Sequence, residues 1–275
     1  MTDFSGFDFS AMSADAPERP HLRRDPLPGV HTFRLRLSLN ESAPEIWREV
    51  LVRSDMTLPV LHQVIQACFA WWDYHLYRFS LGGGVYDRGS ELFLCPFDEQ
   101  EEDPYQQGTP ARLIRVGETV QRPGDVLNYL YDFGDDWDLT ITLVEVLERE
   151  DAPDAPVAEF VTGERAAPPE DCGGRRTTEE FAELMSHPEA ARHFAGFDPA
   201  VLDTAEIVAG MATVEWWSRA TASPDYVDGL LEGFPDLVML HRCLPQSQWT
   251  AFLGTKLEIL EGPVANLPYA LPRSE

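Results

Sequence analysis

The chain has 275 residues, enough for one large domain or two ordinary ones. Its 47 acidic residues against 21 basic ones give a formal net charge of −26, and Lys256 is the only lysine. This balance repels phosphate backbones, so direct nucleic-acid binding through a broad electrostatic surface is not expected; it suits solvation, divalent cations or a basic partner protein. No apolar run approaches the roughly 18 residues of a membrane span. The N-terminal "MTDFSGFDFSAM" lacks the basic flank and apolar stretch of a signal peptide. Cys68, Cys95, Cys172 and Cys243 are scattered with no C-x-x-C, which excludes a zinc ribbon and a small disulfide scaffold. A cytoplasmic protein with reduced thiols is expected.

Residues 1–28 read as a disordered tail, rich in proline and charge at "SADAPERPHLRRDPLPG". Order begins at "VHTFRLRLSL", where Phe33, Leu35, Leu37 and Leu39 alternate with polar residues as in a half-buried strand. "NESAPE" is a turn, and "IWREVLVR" is a second strand that pairs back on the first. A helix follows, with Thr57 as N-cap, Pro59 in the first turn, and Leu58, Leu61, Ile65, Phe69 and Trp72 at helical spacing. "HLYRFSL" is a third strand, ended by Gly82, Gly83 and Gly84. No Walker lysine or dinucleotide fingerprint follows that triplet, so it reads as a turn.

"ELFLCPFDEQEEDPYQQGTP" is an acidic loop, and "ARLIRVGETV" is a short strand or turn pair. A β-hairpin then spans 126–147. Beyond it, a proline-rich stretch ends in "PPEDCGG". Thr177 and Glu180 open a helix, Asp198 and Pro199 cap another, and the remainder from about 208 is helical. The expected fold is α+β: a ββαβ unit plus the β-hairpin in one mixed sheet, with helices segregated toward the C-terminus. The expected units are a tail at 1–28, an α+β domain at 29–207 and a helical extension at 208–275. The charge excess belongs to the middle unit, which holds 34 acids and 14 bases.

The hairpin "YLYDFGDDWDLTITLVEV" packs four aspartates, Asp132, Asp135, Asp136 and Asp138, into seven residues. A three-residue loop, Gly134 to Asp136, pairs Phe133 with Trp137, Tyr131 with Leu139 and Tyr129 with Ile141, giving one clean apolar face. The opposite face then sets Asp132 against Asp138, and like charges directly opposite destabilise a sheet. Three readings stand. The aspartates serve turn geometry and bond to backbone N–H groups or to an arginine; they hold a hard divalent cation, Mg²⁺ or Mn²⁺; or they dock a basic partner. His75, beside Trp71, Trp72 and Tyr74, is either a hydrogen-bonded core histidine or a base or metal ligand next to those carboxylates.

"YLYDFGDDWDLTITL", "TLPVLHQVIQACFAWWDYHLYRF" and "PPEDCGG", in this chain order, together resemble the plasmid pRiA4b ORF-3-like family, as does the later "FAGFDPAVLD". The resemblance covers about residues 30–207. It implies a single α+β domain carried as a passenger of plasmids and insertion elements, with no established reaction. Its recurrent polar positions fall on His75, Tyr86, Tyr131, Asp132, Asp135, Asp136, Trp137, Glu170 and Asp171. Where the family commonly has a histidine soon after the hairpin tryptophan, this chain has Asp138-Leu139-Thr140, which weakens an enzymatic reading. The leading expectation is therefore a non-enzymatic, protein-binding accessory module of mobile elements. The alternatives are a divalent-metal-dependent hydrolase or phosphoesterase built on the hairpin carboxylates, and a DNA mimic. Cys172 lies among acids, which raise a thiol's pKa, so it is a poor nucleophile.

Overall fold

The computed structural model describes residues 18–96, 98, 107–148, 155–174, 186–188 and 197–221, with the backbone alone for 216, 217 and 219–221. It is an α+β fold built on one mixed sheet. The strands are β1 (Thr32–Leu39), β2 (Ile46–Arg53), β3 (Tyr77–Leu81), β4 (Glu91–Leu94), β5 (Thr109–Pro110), β6 (Val126–Tyr131), β7 (Trp137–Leu147) and β8 (Ala158–Glu164), in the order β5-β4-β3-β6-β7-β1-β2-β8. Every pairing is antiparallel except β4 with β5.

The alternation in β1 places Phe33, Leu35, Leu37 and Leu39 on one face, where they meet Val50 and Val52 of β2 and Leu139, Ile141 and Leu143 of β7. Helix α1 (Leu58–Phe69) covers that face, with Leu58, Leu61, Val64 and Ile65 fully buried. A third helix, α3 (Thr204–Thr221), packs Ile207, Met211 and Val214 into the same core. The other face is polar over β1 and β2, with Arg34 and Arg36 paired to Glu45, Glu49 and Glu145. A small apolar cluster of Val85, Leu92, Leu94 and Leu130 covers it elsewhere.

The structure departs from the sequence reading at several places. The hairpin closes at Tyr131–Trp137, with Tyr129 opposite Leu139 and Leu130 opposite Asp138. The loop thus has five residues, 132–136, and the register is displaced by two. A shift of two preserves side-chain parity, so Tyr129, Tyr131, Trp137, Leu139 and Ile141 still face the core. The cause is Asp132, which turns into the left-handed region at φ 58 and leads Phe133 out of the strand. Phe133 packs instead on the small opposite-face cluster, with Arg78 over its ring. The segment after β5 forms a 3-10 turn, Ala111–Leu113, and a short helix α2 (Val116–Thr119). Thr57 sits at the N-cap of α1 without a side-chain capping bond. The cap of α3 is Asp203, whose Oδ1 accepts the N–H groups of Ala205 and Glu206, both at 3.0 Å. The helix expected from Thr177 and those expected beyond residue 222 lie outside the described residues, as do residues 1–17.

Two expected boundaries also move. Helix α3 crosses the 207/208 division, because the stripe Ile207, Met211 and Val214 continues into the main core. Residues 19–25, assigned to the tail, strap across the sheet end. Arg19 donates to Asp87 O and Ser90 O, and the N–H groups of Leu22 and Arg23 donate to Glu91. Arg24 pairs with Asp125, holding that carboxyl down at about 2, with help from the N–H groups of Gln121 and Arg122. The folded pKa lies below the usual carboxylate value of about 3.9. The latch therefore stabilises above about pH 4, and its contribution is lost as pH falls through about 2. The pair is partly exposed and is worth under about 1 kcal/mol. Asp125→Asn is expected to lower the urea midpoint slightly at pH 7, with the difference from the parent protein vanishing near pH 2.

Arg48 of β2 is 1 % exposed. Its Nε donates to Cys68 O at the end of α1 (2.8 Å), and its Nη1 to Trp47 O (2.8 Å) and Glu164 O (2.9 Å). The guanidinium also lies over the Phe69 ring. Burial holds Arg48 down at about 10 and pushes the Cys68 thiol up to about 12, so the arginine stays charged and the thiol protonated at neutral pH. A cation at a helix C-terminus satisfies orphan carbonyls and opposes the negative end of the helix dipole.

Candidate functional site

Three segments meet at the end of the sheet where β3 begins and β6 stops. The first is Ala70–Leu76, which links α1 to β3. Because Tyr77 pairs with Tyr131, the residues just before β3 and just after β6 become neighbours. Asp132 N–H extends the ladder by donating to Leu76 O at 2.9 Å. The second segment is the hairpin loop 132–136. The third is the turn 167–174 after β8, pinned where Trp71 Nε1 donates to Pro168 O at 3.0 Å. The Trp71 ring stacks with Phe69, Tyr131 and Trp137, so one aromatic column supports all three segments.

His75 Nε2 lies 3.0 Å from Asp171 Oδ1, 3.4 Å from Asp132 Oδ2 and 4.0 Å from Glu170 Oε1. One ligand atom each from His75, Asp132 and Asp171 falls within 4.8 Å of the other two, so that among the described residues these three could hold a metal ion. Asp132 and Glu170 are buried, His75 is half-buried, and the Asp171 side chain is 61 % exposed. The group is therefore closed toward the core and open to solvent on one side. His75 Nε2 thus lies within 3.4 Å of a carboxylate oxygen of each aspartate, close enough for the three residues to share one cation.

The local chain conformation is unusual. Asp73, Asp132, Asp136 and Asp171 all have φ between 56 and 61, and such positive-φ residues concentrate at functional sites, although aspartate tolerates the conformation better than most. Each is tied down. Asp132 Oδ1 accepts Gly134 N–H at 2.8 Å, and Asp132 O accepts Asp136 N–H at 2.6 Å. Asp135 Oδ2 accepts Gly173 N–H at 3.2 Å, fastening the hairpin loop to the third segment. Gly174, at φ 86, lies against that loop, and a Cβ there would meet Asp135 O at 3.2 Å.

Burial pushes the Glu170 carboxyl upward, although Tyr131 and the Trp72 N–H donate to it. Burial and the nearby Glu170 push the Tyr131 hydroxyl upward as well, so it acts as a neutral donor.

The anticipated residues thus divide. His75, Tyr131, Asp132, Glu170 and Asp171 come together, with Asp135 beside them as a fastener and Asp136 closing the turn. The four hairpin aspartates do not form one ligand set. Asp138 belongs to the polar sheet face, where Asn40 Nδ2 donates to its Oδ2 at 3.0 Å. Trp137 supports the site from the core and contributes no donor to the group. Tyr86 is 69 % exposed in the β3–β4 loop, beyond the opposite end of β3 from His75.

Residues 31–206 match the plasmid pRiA4b ORF-3-like protein family. The chain belongs to that family. It is 33 % identical over 161 residues to the uncharacterized protein y4hQ of Sinorhizobium fredii, covering 58 % of this chain and 76 % of that one. It is also similar to the crystal structure of MM3350, a protein of unknown function from Methanosarcina mazei, with a TM-score of 0.53 and 26 % identity over 65 % of this chain and 97 % of that one.

The plasmid pRiA4b ORF-3-like match contains every residue of the site. Of Asp138-Leu139-Thr140, Asp138 and Thr140 bond to Asn40 on the polar face, and Leu139 is buried in the core. A buried network behind the site went unnoticed in the sequence. Asp73 takes His62 Nε2 at 2.7 Å and Gln63 Nε2 at 2.9 Å on its two oxygens, and its N–H donates to Gln66 Oε1. Tyr129 OH bonds to His62 Nδ1 and accepts from Gln66 Nε2. This ring holds Asp73 two residues before His75. Its signal was His62, Gln63 and Gln66 on a helix otherwise buried and apolar. Among the described residues, no helix is long and apolar enough to cross a membrane.

Proposed function

We propose that the protein binds a divalent cation, Mn²⁺ in preference to Mg²⁺, through His75, Asp132 and Asp171, and uses it to activate water in a hydrolytic reaction. The observation that carries this reading is His75 Nε2 at 3.0 Å and 3.4 Å from two carboxylates, one exposed and one buried. An imidazole in the set favours Mn²⁺ over Mg²⁺, which prefers all-oxygen ligation. Three protein ligands leave positions for water, and the exposed Asp171 side gives substrate a way in. A cation held by these three residues would supply Lewis-acid chemistry there and lower the pKa of a bound water. The residues of this chain orient the ion: Asp132 is held by its turn, and His75 by the segment that Asp73 and Tyr131 fix.

Calorimetric titration with Mn²⁺ is expected to show one ion per chain, and none for His75→Ala. A second reading, supported by the net charge of −26, is a non-enzymatic accessory module that docks a basic partner and uses the ion as a structural fixture. Hydrolysis of bis(p-nitrophenyl) phosphate separates the two. Mn²⁺-dependent turnover lost in Asp132→Asn supports the hydrolase; ion binding without turnover of this or simple carboxyl esters supports the module.

A further inference from the structure

We propose that Tyr131 is the positioning residue of the cation site, a role that rests on the reading of His75, Asp132 and Asp171 as ligands. Its hydroxyl holds the segments that carry two of them, and its own backbone leads into the third. It accepts the N–H groups of Tyr74 at 3.0 Å and His75 at 3.4 Å, which sets the backbone that carries the imidazole. It donates to Glu170 Oε1, the residue before Asp171. Asp132 follows Tyr131 directly in the chain. Glu170 completes the clamp, because its Oε2 accepts the Trp72 N–H. One hydroxyl and one carboxylate thus join the α1–β3 link, the end of β6 and the turn after β8.

The Tyr131 ring is fully buried against Trp71 at 5.3 Å and His75 at 5.9 Å between centroids, contacts that phenylalanine keeps. Burying a hydroxyl and a carboxylate together is costly unless every bond is made. Here each has its partners, and the bonds run to the residues that carry the ligands. Groups that orient ligands from behind in this way typically change metal affinity by roughly tenfold to a hundredfold when removed.

The test is Mn²⁺ binding to the full chain by calorimetry, with the spin-resonance line shape of bound Mn²⁺ as a readout of geometry. Tyr131→Phe is expected to retain the near-ultraviolet dichroism of the folded protein, weaken Mn²⁺ by roughly tenfold or more, and alter the line shape. Glu170→Gln, which keeps volume and an acceptor for the Trp72 N–H, is expected to weaken binding in the same direction, and it decides the matter if Tyr131→Phe does not fold. Wild-type binding with unchanged affinity and line shape in Tyr131→Phe, or in Glu170→Gln where that variant decides, overturns the positioning role and leaves the cation site standing. A wild-type protein that binds no Mn²⁺ overturns both.

Discussion

Replacing Arg48 with alanine is expected to lower the unfolding free energy by about 3–5 kcal/mol. The variant leaves Cys68 O, buried at the end of α1, without the donor it now has, an orphaned carbonyl that costs about 1–3 kcal/mol, and it removes the part-buried bond to Glu164 O at the end of β8. It also removes the contact with Phe69 and the cation at the end of α1. Relief from burying a charge, the same burial that holds the guanidinium down at about 10, opposes these losses. Arg48→Met restores the packing and none of the hydrogen bonds, so it should recover only part of the loss. Urea unfolding of the three proteins at neutral pH measures this. Equal or greater stability for Arg48→Met would mean that the three carbonyl contacts contribute nothing net, as happens when an apolar side chain replaces a buried ion.

Mn²⁺ at a hundredfold excess over its dissociation constant is expected to stabilise the folded chain by about 2.7 kcal/mol, because the unfolded chain does not assemble the three donors. The rise in melting temperature should grow with the logarithm of Mn²⁺ concentration and be much smaller with Mg²⁺. Asp132→Asn should abolish it. Asparagine tolerates the left-handed conformation at position 132, and its carbonyl oxygen can still accept Gly134 N–H. The metal-free variant is therefore expected to melt within a few degrees of the parent, and loss of the Mn²⁺ response then reports on ligation alone. A large drop in metal-free stability, with no Mn²⁺ effect in either protein, would make Asp132 a turn residue and His75 its hydrogen-bonding partner.

Much of the fold could be read from period and spacing. The alternation in β1 and β2, the α1 stripe and the core parity of the hairpin all follow from apolar residues that must share a face. The site was legible in part for a related reason. His75 and Asp132 are polar residues set among aromatics, where solvation alone does not explain them, whereas Glu170 and Asp171, in "PPEDCGG", stand out only through the family resemblance. Their convergence could not be read, because it depends on β3 pairing with β6 and on a turn after β8 far away in the chain. The hairpin register failed because hydrophobic pattern fixes parity and leaves shifts of two open. The deciding element was the left-handed turn at Asp132, a conformation that aspartate permits without requiring. The charge of the other aspartates suggested one cluster; strand geometry sends Asp138 to the opposite face, and a backbone N–H claims Asp135.

The most direct measurement is pulsed electron spin resonance of the protein with one equivalent of Mn²⁺. The account predicts nitrogen modulation from one coordinated imidazole, absent in His75→Ala and undisturbed by Asp138→Asn, since Asp138 lies on the far face. A spectrum of hexaaqua Mn²⁺ alone, or nitrogen modulation that persists in His75→Ala, would contradict it.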